Sequence, residues 1–488
     1  MSGIISVSRL AAACLVVTGL AAPSAASAQE PVAVSSSAAH RQILNRETGE
    51  GKSYSIPALE IPSFLIALNM YDRWKYGNAT YGTDLDTFWH NFSRENWAYD
   101  KDTFRMNELW HPYQGSTMYG LARSAGLSFW QSLLYSDAGS LLWKWGGETG
   151  QPSINDMITT GQAGSVLGEP LFRMANLTLE GGGDEPGFWR ELGAAAISPP
   201  LGLNRLLFGD RFKAIYPAHG PATFTYLQFM GSLEKHSNGQ GASKILDRKQ
   251  MGAAFHMAYG LPGKDGYKYT RPFDYFSFEF SPQSGRENLD SILVRGLLTG
   301  EKYESGEDFR GVWGLYGSYD YISPTVFRVA NTSASLGTTG QWWLSKNTAL
   351  QGTLLAGPGY GGGGVAPKQG DRNYHIGATA QGLAALRFIV DKKMMLDGNA
   401  RTYYITDMGA NNTRTAERIS RFDIGLVVRV HGPHAVGIQY VESRRHSDFP
   451  LANSSHQRVT IASLSYTLAF DPHFGAVEWR DGMDSGNR

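Results

Sequence analysis

Residues 420–431 have the sequence SRFDIGLVVRVH, and the alternation within them decides the fold class. One face carries the apolar side chains of Phe422, Ile424, Leu426, Val428 and Val430. The other carries Arg421, Asp423, Gly425, Arg429 and His431. A segment of about ten residues with this period of two is typical of a transmembrane β-strand, whose two faces meet lipid and a polar lumen. The stretch therefore predicts one strand of an outer-membrane barrel.

The same alternation recurs on both sides of this stretch, from about residue 222 to residue 470. It predicts twelve strands, at 222–233, 249–260, 273–281, 289–300, 309–321, 326–340, 346–356, 374–390, 393–407, 420–431, 434–445 and 457–470. An even number of strands closes an antiparallel barrel. A soluble β-sandwich also alternates, but charges on the polar faces of these long strands favour the barrel. Gly357, Gly359 and Gly362 predict a glycine-rich loop.

The polar faces of the predicted strands supply charges of both signs to the barrel lumen. These residues are Glu279, Arg295, Asp397, Arg401, Asp423 and Arg429. Mixed signs indicate a salt-bridged, occluded lumen, or one that grips a plug, more than an ion-selective pore. The last strand ends in SLSYTLAF (463–470), which resembles the signal by which the barrel-assembly machinery recognises its clients, so we expect that machinery as a partner. Residues 471–488 are expected to form a C-terminal tail.

The amino terminus and the composition predict where the protein resides. Residues 1–28 have an apolar run followed by Ala26-Ser27-Ala28, which predicts a cleaved secretory signal peptide. The single cysteine, Cys14, lies within it, so the mature chain has no disulfide or cysteine metal site. Lys+Arg and Asp+Glu both number 44, a balance that excludes nucleic acid as a partner. We expect the cell outer membrane as the location and outer-membrane lipid as a partner.

Between a flexible leader predicted at 29–55 and the barrel, residues 56–209 are expected to be helical. This gives an α+β fold class: a helical N-terminal domain followed by a transmembrane barrel of about twelve strands. Small residues recur every fourth position in the central run, among them Ser116, Gly120 and Ser124, which indicates close helix–helix contact. The helical domain is expected either to plug the lumen or to pack at its periplasmic mouth.

Four short motifs in the helical region resemble a known family. They are HPYQG (111–115), YGLARSAG (119–126), PSIND (152–156) and LGE (167–169). Together they resemble an uncharacterised family of Gram-negative envelope proteins that is known only as a domain of unknown function. The resemblance implies a secreted envelope protein and supplies no activity.

The same region holds the candidate catalytic residues His111, Glu148, Asp156 and Glu169. Nearby polar candidates are Ser116, Arg123, Asn155 and Arg173. Each has a structural alternative: His111 can be an N-terminal hydrogen-bonding residue, and Ser153 and Asp156 fit a capping box. The glutamates can pair with Arg123 and Arg173 in a buried ion cluster instead of performing acid–base chemistry. No motif indicates a metal or another cofactor, and we expect none.

Three functions are compatible with these features. The first is a barrel that handles or gates a lipid or small molecule in the envelope. The second is an integral outer-membrane lipid hydrolase or acyltransferase with His111 as base and Ser116 as nucleophile. The third is a scaffold in envelope biogenesis. The ligand and the oligomeric state are not specified by the sequence.

Overall fold

The computed structural model describes residues 44–94, 97–100, 102–238, 248–284, 289–324, 326–365, 374–408, 416–448 and 456–479. The predicted signal peptide and residues 29–43 of the predicted leader lie outside them. The chain forms two compact units, which are described separately. The helical unit contains the residues up to Ala98 together with Pro112–Ala218, and the barrel unit contains Tyr99–His111 together with His219 and the residues after it.

The barrel unit is a closed antiparallel barrel in which each strand pairs with its neighbours in sequence and β1 pairs with β12. The strands in the described residues are β1 (Thr223–Asn238), β2 (Arg248–Tyr259), β3 (Phe276–Pro282), β4 (Leu289–Ser305), β5 (Phe309–Ile322), β6 (Phe327–Ser345), β7 (Thr348–Val365), β8 (Tyr374–Val390), β9 (Met394–Thr406), β10 (Ala416–His431), β11 (His434–Ser447) and β12 (His456–Ala469). The predicted fold class and the twelve strands are confirmed.

The expectation of a glycine-rich loop around Gly357 was wrong, because β7 continues to Val365. The glycines are required by close approach of the neighbouring strand. A Cβ on Gly361 would lie 2.1 Å from the carbonyl oxygen of Ala330, and one on Gly357 would lie 2.2 Å from that of Ala334. Strand pairing at this spacing excludes larger side chains at both positions.

The two ends of the barrel differ in the length of their connections. The end at which β1 begins, called the short-turn end below, has connections at 306–308, 346–347, 391–393 and 432–433, with a longer one at 260–275. At the opposite end, consecutive strands are separated in sequence by four residues between β5 and β6 and by six to nine residues between the other pairs. This asymmetry is typical of outer-membrane barrels, whose periplasmic turns are short.

The two faces of each strand have opposite chemistry. Tyr403 of β9 donates a hydrogen bond to Asp320 of β5 at 2.7 Å, and Gln381 of β8 donates to Ser318 of β5 at 2.8 Å. Because these strands are not neighbours, the bonds cross the lumen and identify the inward face. On the other face, exposed apolar side chains form a band over β1 and β8–β12: Phe229, Leu233, Leu386, Leu396, Phe422, Ile424, Val428, Val436, Ile438 and Leu464.

The helical unit contains α1 (Ser55–Tyr76), α2 (Asn78–Tyr81), α3 (Leu85–Phe92), α4 (His111–Ser124), α5 (Phe129–Gly146), α6 (Ile154–Ile158), α7 (Gly164–Glu180), α8 (Phe188–Ile197) and α9 (Pro199–Phe208). His111, the first residue of α4, is counted with the barrel unit. Among the described helices, none combines the length and the apolarity that a membrane span requires. Helices α4 and α7 pack closely where Gly115 faces Gly164. The hydroxyl groups of the small-residue run support this packing, and Ser136 of α5 donates to the Gly115 carbonyl at 3.1 Å.

Part of the predicted leader packs on the helical unit. Leu44 is buried, and the Arg46 guanidinium donates to the carbonyl oxygens of Arg123, Ser124 and Ala214 at 3.1, 3.1 and 2.5 Å. Arg123 and Ser124 are the last two residues of α4, where backbone carbonyls lack helical partners, and Ala214 lies after the last helix of the unit. Arg46 therefore ties together segments that are distant in sequence.

Candidate functional site

A polar chamber of about 190 Å³ lies inside the barrel. Four arginines, three carboxylates and a histidine line it: Arg295, Arg387, Arg401, Arg421, Glu279, Asp397, Asp423 and His256. Apolar side chains pack inside the barrel toward both ends. One cluster contains Tyr316, Trp343 and Val427, and the other contains Ile322, Val329 and Ile405. The chamber is thus a polar compartment between two apolar layers.

Each of the three carboxylates that line the chamber has a nearby partner. Arg387 donates to Asp397 at 2.6 Å across the β8–β9 pair. His256 lies 3.4 Å from Glu279, and Asn399 donates to Asp423 at 2.7 Å. Because these partners occupy carboxylate oxygens, fewer hydrogen-bond acceptors remain for Arg295, Arg401 and Arg421.

Arg401 and Arg421 stand directly opposite each other in the β9–β10 ladder. Arg421 contacts the carboxylate of Asp290 at 3.5 Å. The Nε and Nη1 atoms of Arg401 and the Nη1 atom of Arg421 are buried and have no hydrogen-bond partner within the described residues. Like charges directly opposite each other in a sheet repel, so this pair is the least satisfied part of the chamber.

The six residues predicted to line the lumen all lie on the inward faces of their strands, and five of them line the chamber. The sixth, Arg429, lies near the short-turn end, where it donates to the carbonyl oxygens of Asp471 and Pro472 at 2.6 and 2.5 Å. Its guanidinium also stacks on the Phe474 ring, 4.4 Å from the centroid. Arg429 therefore holds the segment that follows β12 and does not contribute to the chamber.

Residues Asp471–Trp479, called the tail segment below, fold into the lumen at the short-turn end. Gln341 and Gln351 donate to the carbonyl oxygens of Val477 and Gly475 at 2.7 and 2.6 Å. Phe474 and Val477 are buried among the apolar residues of this end. Since Gln341 and Gln351 also line the chamber, the tail segment lies directly beside the chamber at this end.

In the helical unit, Glu169 lies at the centre of a buried ion cluster. Arg123 binds both of its carboxylate oxygens at 2.8 and 3.0 Å, and Arg173 binds one at 2.9 Å. Tyr119 donates a further hydrogen bond at 2.6 Å. Burial alone would raise the pKa of Glu169, but the positive charge and hydrogen bonds of Arg123, with Arg173, lower that pKa to about 2. Glu169 is therefore a permanent anion at neutral pH.

A second buried cluster centres on Lys144, which sequence reasoning did not single out. Its ammonium lies 3.0 Å from Glu148 and 2.6 Å from Asp156. Asn155 donates to Asp156 at 2.9 Å, and Ser153 caps the helix by accepting from the Asp156 backbone amide. Burial lowers the pKa of Lys144, but Asp156 and Glu148 outweigh it and raise that pKa above its ordinary value.

The candidate catalytic carboxylates are thus divided between two clusters: Glu169 lies in the first, and Glu148 and Asp156 lie in the second. The hydroxyl of Ser116, the candidate nucleophile, donates a hydrogen bond to the Tyr113 carbonyl at 2.8 Å. This geometry favours a structural role for both clusters over a shared acid–base site. Among the described residues, no group of His, Cys, Asp and Glu is arranged to hold a metal ion.

His111 ends a segment, Tyr99–His111, that packs against the outer wall of the barrel. Tyr319 donates to the Glu108 carbonyl at 2.5 Å, and Asn107 donates to the Tyr374 hydroxyl at 2.7 Å. The Phe104 ring contacts those of Tyr321 and Tyr374. On β5, Tyr319 and Tyr321 alternate with the inward-facing Ser318 and Asp320, so the segment lies outside the lumen. The PYQG part of the first motif begins directly after it.

The sequence predicted 471–488 only as a C-terminal tail and 99–111 only as part of the helical region. It did not predict where the tail segment and the Tyr99–His111 segment pack, because neither has a periodic pattern. The buried aromatic residues Phe104, Phe474 and Trp479 were the available signal, since large apolar side chains in polar, non-periodic stretches need a surface to cover them.

A closed antiparallel barrel with an apolar exterior and a polar interior defines the outer-membrane β-barrel class. Within the other half of the chain, residues 96–200 match the model of a family described as a domain of unknown function (DUF3943). The expected resemblance to such a family is confirmed. A comparison with curated proteins finds no match.

Several solved barrel structures are similar to this chain. The NanC porin is 8% identical, with 49% of this chain and 98% of that chain covered and a TM-score of 0.26. An outer membrane channel from Pseudomonas putida F1 is 11% identical, with 51% and 95% covered and a TM-score of 0.28. The translocator domain of the autotransporter NalP from Neisseria meningitidis is 15% identical, with 51% and 88% covered and a TM-score of 0.24. The fold assignment rests on the strand pairing of this chain itself.

Proposed function

We propose that this protein is an outer-membrane barrel that admits a small polar molecule to its central chamber and gates its passage. The observation that carries the proposal is the charged chamber together with the tail segment, which is bound at the short-turn end by Gln341 and Gln351 of the chamber lining. A barrel built only as a membrane anchor has no need of buried charges, because they are costly to desolvate. Their presence between apolar layers favours a binding compartment.

The outer surface supports a location in the outer membrane. On β10 the exposed apolar residues extend from Phe422 to Val430, and on β12 they include Leu464 and Tyr466. Beyond this band, toward the end opposite the short turns, Glu442 is bound by Arg444 and Arg458. An apolar band bordered by aromatic and charged residues fits a bilayer core and its interface. By the length rule for turns, the short-turn end would face the periplasm.

The gating step in this proposal is displacement of the tail segment. The segment is held by side-chain contacts: hydrogen bonds with Gln341, Gln351 and Trp343, the Arg429 contacts, and an ion pair between Lys392 and Glu478. Trp479 packs against Trp343 and donates to the Glu307 carbonyl at 3.0 Å. Because these contacts involve side chains and not a strand ladder, the segment can leave the lumen without opening the barrel.

Planar-bilayer recordings of three purified forms test the proposal: the wild type, a deletion of 471–488 and a matched deletion of 480–488. The longer deletion is expected to raise the open-channel conductance or opening frequency at least tenfold. The shorter deletion retains Asp471–Trp479 and should behave as the wild type. Heat-modifiable gel migration establishes that each barrel is folded.

If the longer deletion folds and conducts no better than the wild type, gating by the tail segment is wrong. Should that deletion fail to fold, Trp479→Ala combined with Phe474→Ala loosens the same segment while keeping its length. Equal and negligible currents from this variant and the wild type would lead to the same conclusion.

A second proposal concerns lipid contact by the helical unit, because an exposed face of α1 is apolar over most of its length. Leu59, Ile66, Met70 and Trp74 form this face, and Trp74 is 80% exposed. Lys75 lies over the rings of Tyr71 and Tyr76, at 5.2 and 4.8 Å. Aromatic rings beside a lysine are the pattern of side chains at a membrane interface. We propose that α1 lies at the lipid interface of the outer membrane.

Quenching of tryptophan fluorescence by brominated phospholipid in reconstituted vesicles tests this lipid contact. Trp74→Phe should lower the quenched fraction of the total fluorescence. Trp143→Phe is the matched control, because Trp143 is only 3% exposed. If the two variants lose the same quenched fraction, α1 does not contact lipid.

A further inference from the structure

We infer that the chamber binds a small oxyanion, a carboxylate or phosphate group, between Arg401 and Arg421. The inference rests on the proposed function and names the class of molecule that the chamber takes. Its basis is the geometry of two facing guanidinium groups whose donors are not satisfied by the protein itself.

The position of the two arginines brings unpaired guanidinium N–H donors close together. They are direct partners in the β9–β10 ladder, a position in which two Cβ atoms lie about 4.5–5.5 Å apart. Arg401 is 7% exposed, so its charge is largely removed from water. A buried cation is stable only with a compensating anion and hydrogen-bond acceptors.

The neighbouring carboxylates supply opposite charge to Arg401 but leave these N–H donors unpaired. Asp320 accepts from Tyr403, Asp397 is bound by Arg387, and Asp423 accepts from Asn399. Glu279 lies against His256, Ser281 and Ser291. None of these arrangements supplies an acceptor to the Nε and Nη1 atoms of Arg401 or to Nη1 of Arg421.

The donor set specifies an oxyanion over other ligands. Adjacent N–H groups of a guanidinium match the spacing of two oxygens on a carboxylate or phosphate, and such paired hydrogen bonds are strong when buried. The chamber volume of about 190 Å³ exceeds the roughly 10–15 Å³ that one water needs on the same measure. There is therefore room for an anion with several heavy atoms.

Isothermal titration with sodium phosphate and with sodium acetate, each at constant ionic strength, tests the inference. The wild type and the 471–488 deletion are titrated, so that a closed chamber does not prevent access. At least one anion should bind, and Arg401→Gln and Arg421→Gln should each weaken binding at least tenfold. Arg401→Lys keeps the positive charge but lacks the paired N–H donors of a guanidinium group, and should bind the anion more weakly than the wild type. Arg444→Gln is the matched control, because Arg444 is exposed outside the lumen, and it should bind as the wild type.

The two anions distinguish two classes of natural ligand. Tighter binding of phosphate indicates a phosphate ester, and tighter binding of acetate indicates an organic acid. No binding by either form, or equal binding by the wild type and Arg401→Gln, overturns the inference. Its failure is distinguishable from failure of the proposed function. If the 471–488 deletion conducts but its reversal potentials show no anion preference, the gating proposal stands and the oxyanion inference fails. If phosphate or acetate binds but the 471–488 deletion does not conduct, the oxyanion inference stands and the gating proposal fails.

Discussion

Gly164 of α7 lies so close to Gly115 of α4 that a Cβ on Gly164 would be 2.6 Å from the Gly115 Cα. A Cβ on Gly115 would lie only 1.7 Å from the Thr160 carbonyl oxygen. Backbone atoms limit the approach on both sides, so no side-chain movement can make room. This contact sets the distance between the two helices that carry Arg123 and Glu169, and hence the geometry of their ion pair.

The first prediction concerns this crossing. Gly115→Ala should destabilise the helical unit by at least about 3 kcal/mol, because overpacking against backbone forces the helices apart. Thermal loss of the helical circular dichroism signal measures the change. Gly150→Ala is the control, since a Cβ there meets nothing within 4 Å. Similar melting of the two variants would contradict the close packing of α4 and α7.

The second prediction concerns the Glu169 cluster. Glu169→Gln leaves the buried guanidinium groups of Arg123 and Arg173 without a counter-charge, which should cost about 3–5 kcal/mol. Denaturant unfolding followed by hydrogen exchange in α4 and α7 provides the measurement. Asp210→Asn breaks an exposed pair with Lys213 and should cost less than about 1 kcal/mol. Equal costs for the two substitutions would show that the Glu169 cluster is not buried.

The third prediction is the pH dependence of the same cluster. Because the folded-state pKa of Glu169 is lowered from 4.5 to about 2, its contribution is complete above the unfolded pKa. The contribution, about 3 kcal/mol, should be lost as the pH falls from about 4.5 toward 2. Burial raises the pKa of Asp137 in the same unit to about 6, which acts in the opposite sense.

Comparing pH profiles isolates Glu169, because the wild type and Glu169→Gln share Asp137. The stability difference between them should be constant near neutral pH and should shrink below pH 4.5. A difference that does not depend on pH across this range would exclude Glu169 as the titrating group.

The fourth prediction concerns the outer face of the barrel. Leu464→Lys places a charge within the apolar band and should destabilise the barrel by about 2–4 kcal/mol in lipid vesicles. Urea unfolding of the vesicle-inserted protein measures it. Thr460→Lys, on the same face of β12 but beside Glu442 and Arg458, should cost less than about 1 kcal/mol. Tolerance of lysine at position 464 would mean that this face does not meet lipid.

Much of the barrel could be predicted from the sequence, because strand alternation is a local signal. The stretch 420–431 is a strand in the structure, with Ile424 exposed and Asp423 facing the chamber. The alternation also indicated the faces on which Glu279 and Arg401 lie. Local signals fail where glycine serves a distant contact, as at Gly361, whose closest neighbour is the Ala330 backbone of another strand.

The candidate site was harder to predict, since its properties arise from contacts between remote segments. The stacking of Arg429 on Phe474 and the Arg401–Arg421 pair depend on strand register and on chain reversal after β12. Lys144 was not singled out, because a lysine in an apolar run has no local signature of its two carboxylate partners. Spacing alone did not show that Glu148 and Glu169 belong to different clusters.

The position of the tail segment has a consequence for the order of folding. The groups that receive it, Gln341 of β6 and Gln351 of β7, face an enclosed space only after β12 has paired with β1. We therefore expect Asp471–Trp479 to reach its place after the cylinder has closed. Protection of the Val477 amide, which donates to Gln341, is then a sign that assembly is complete.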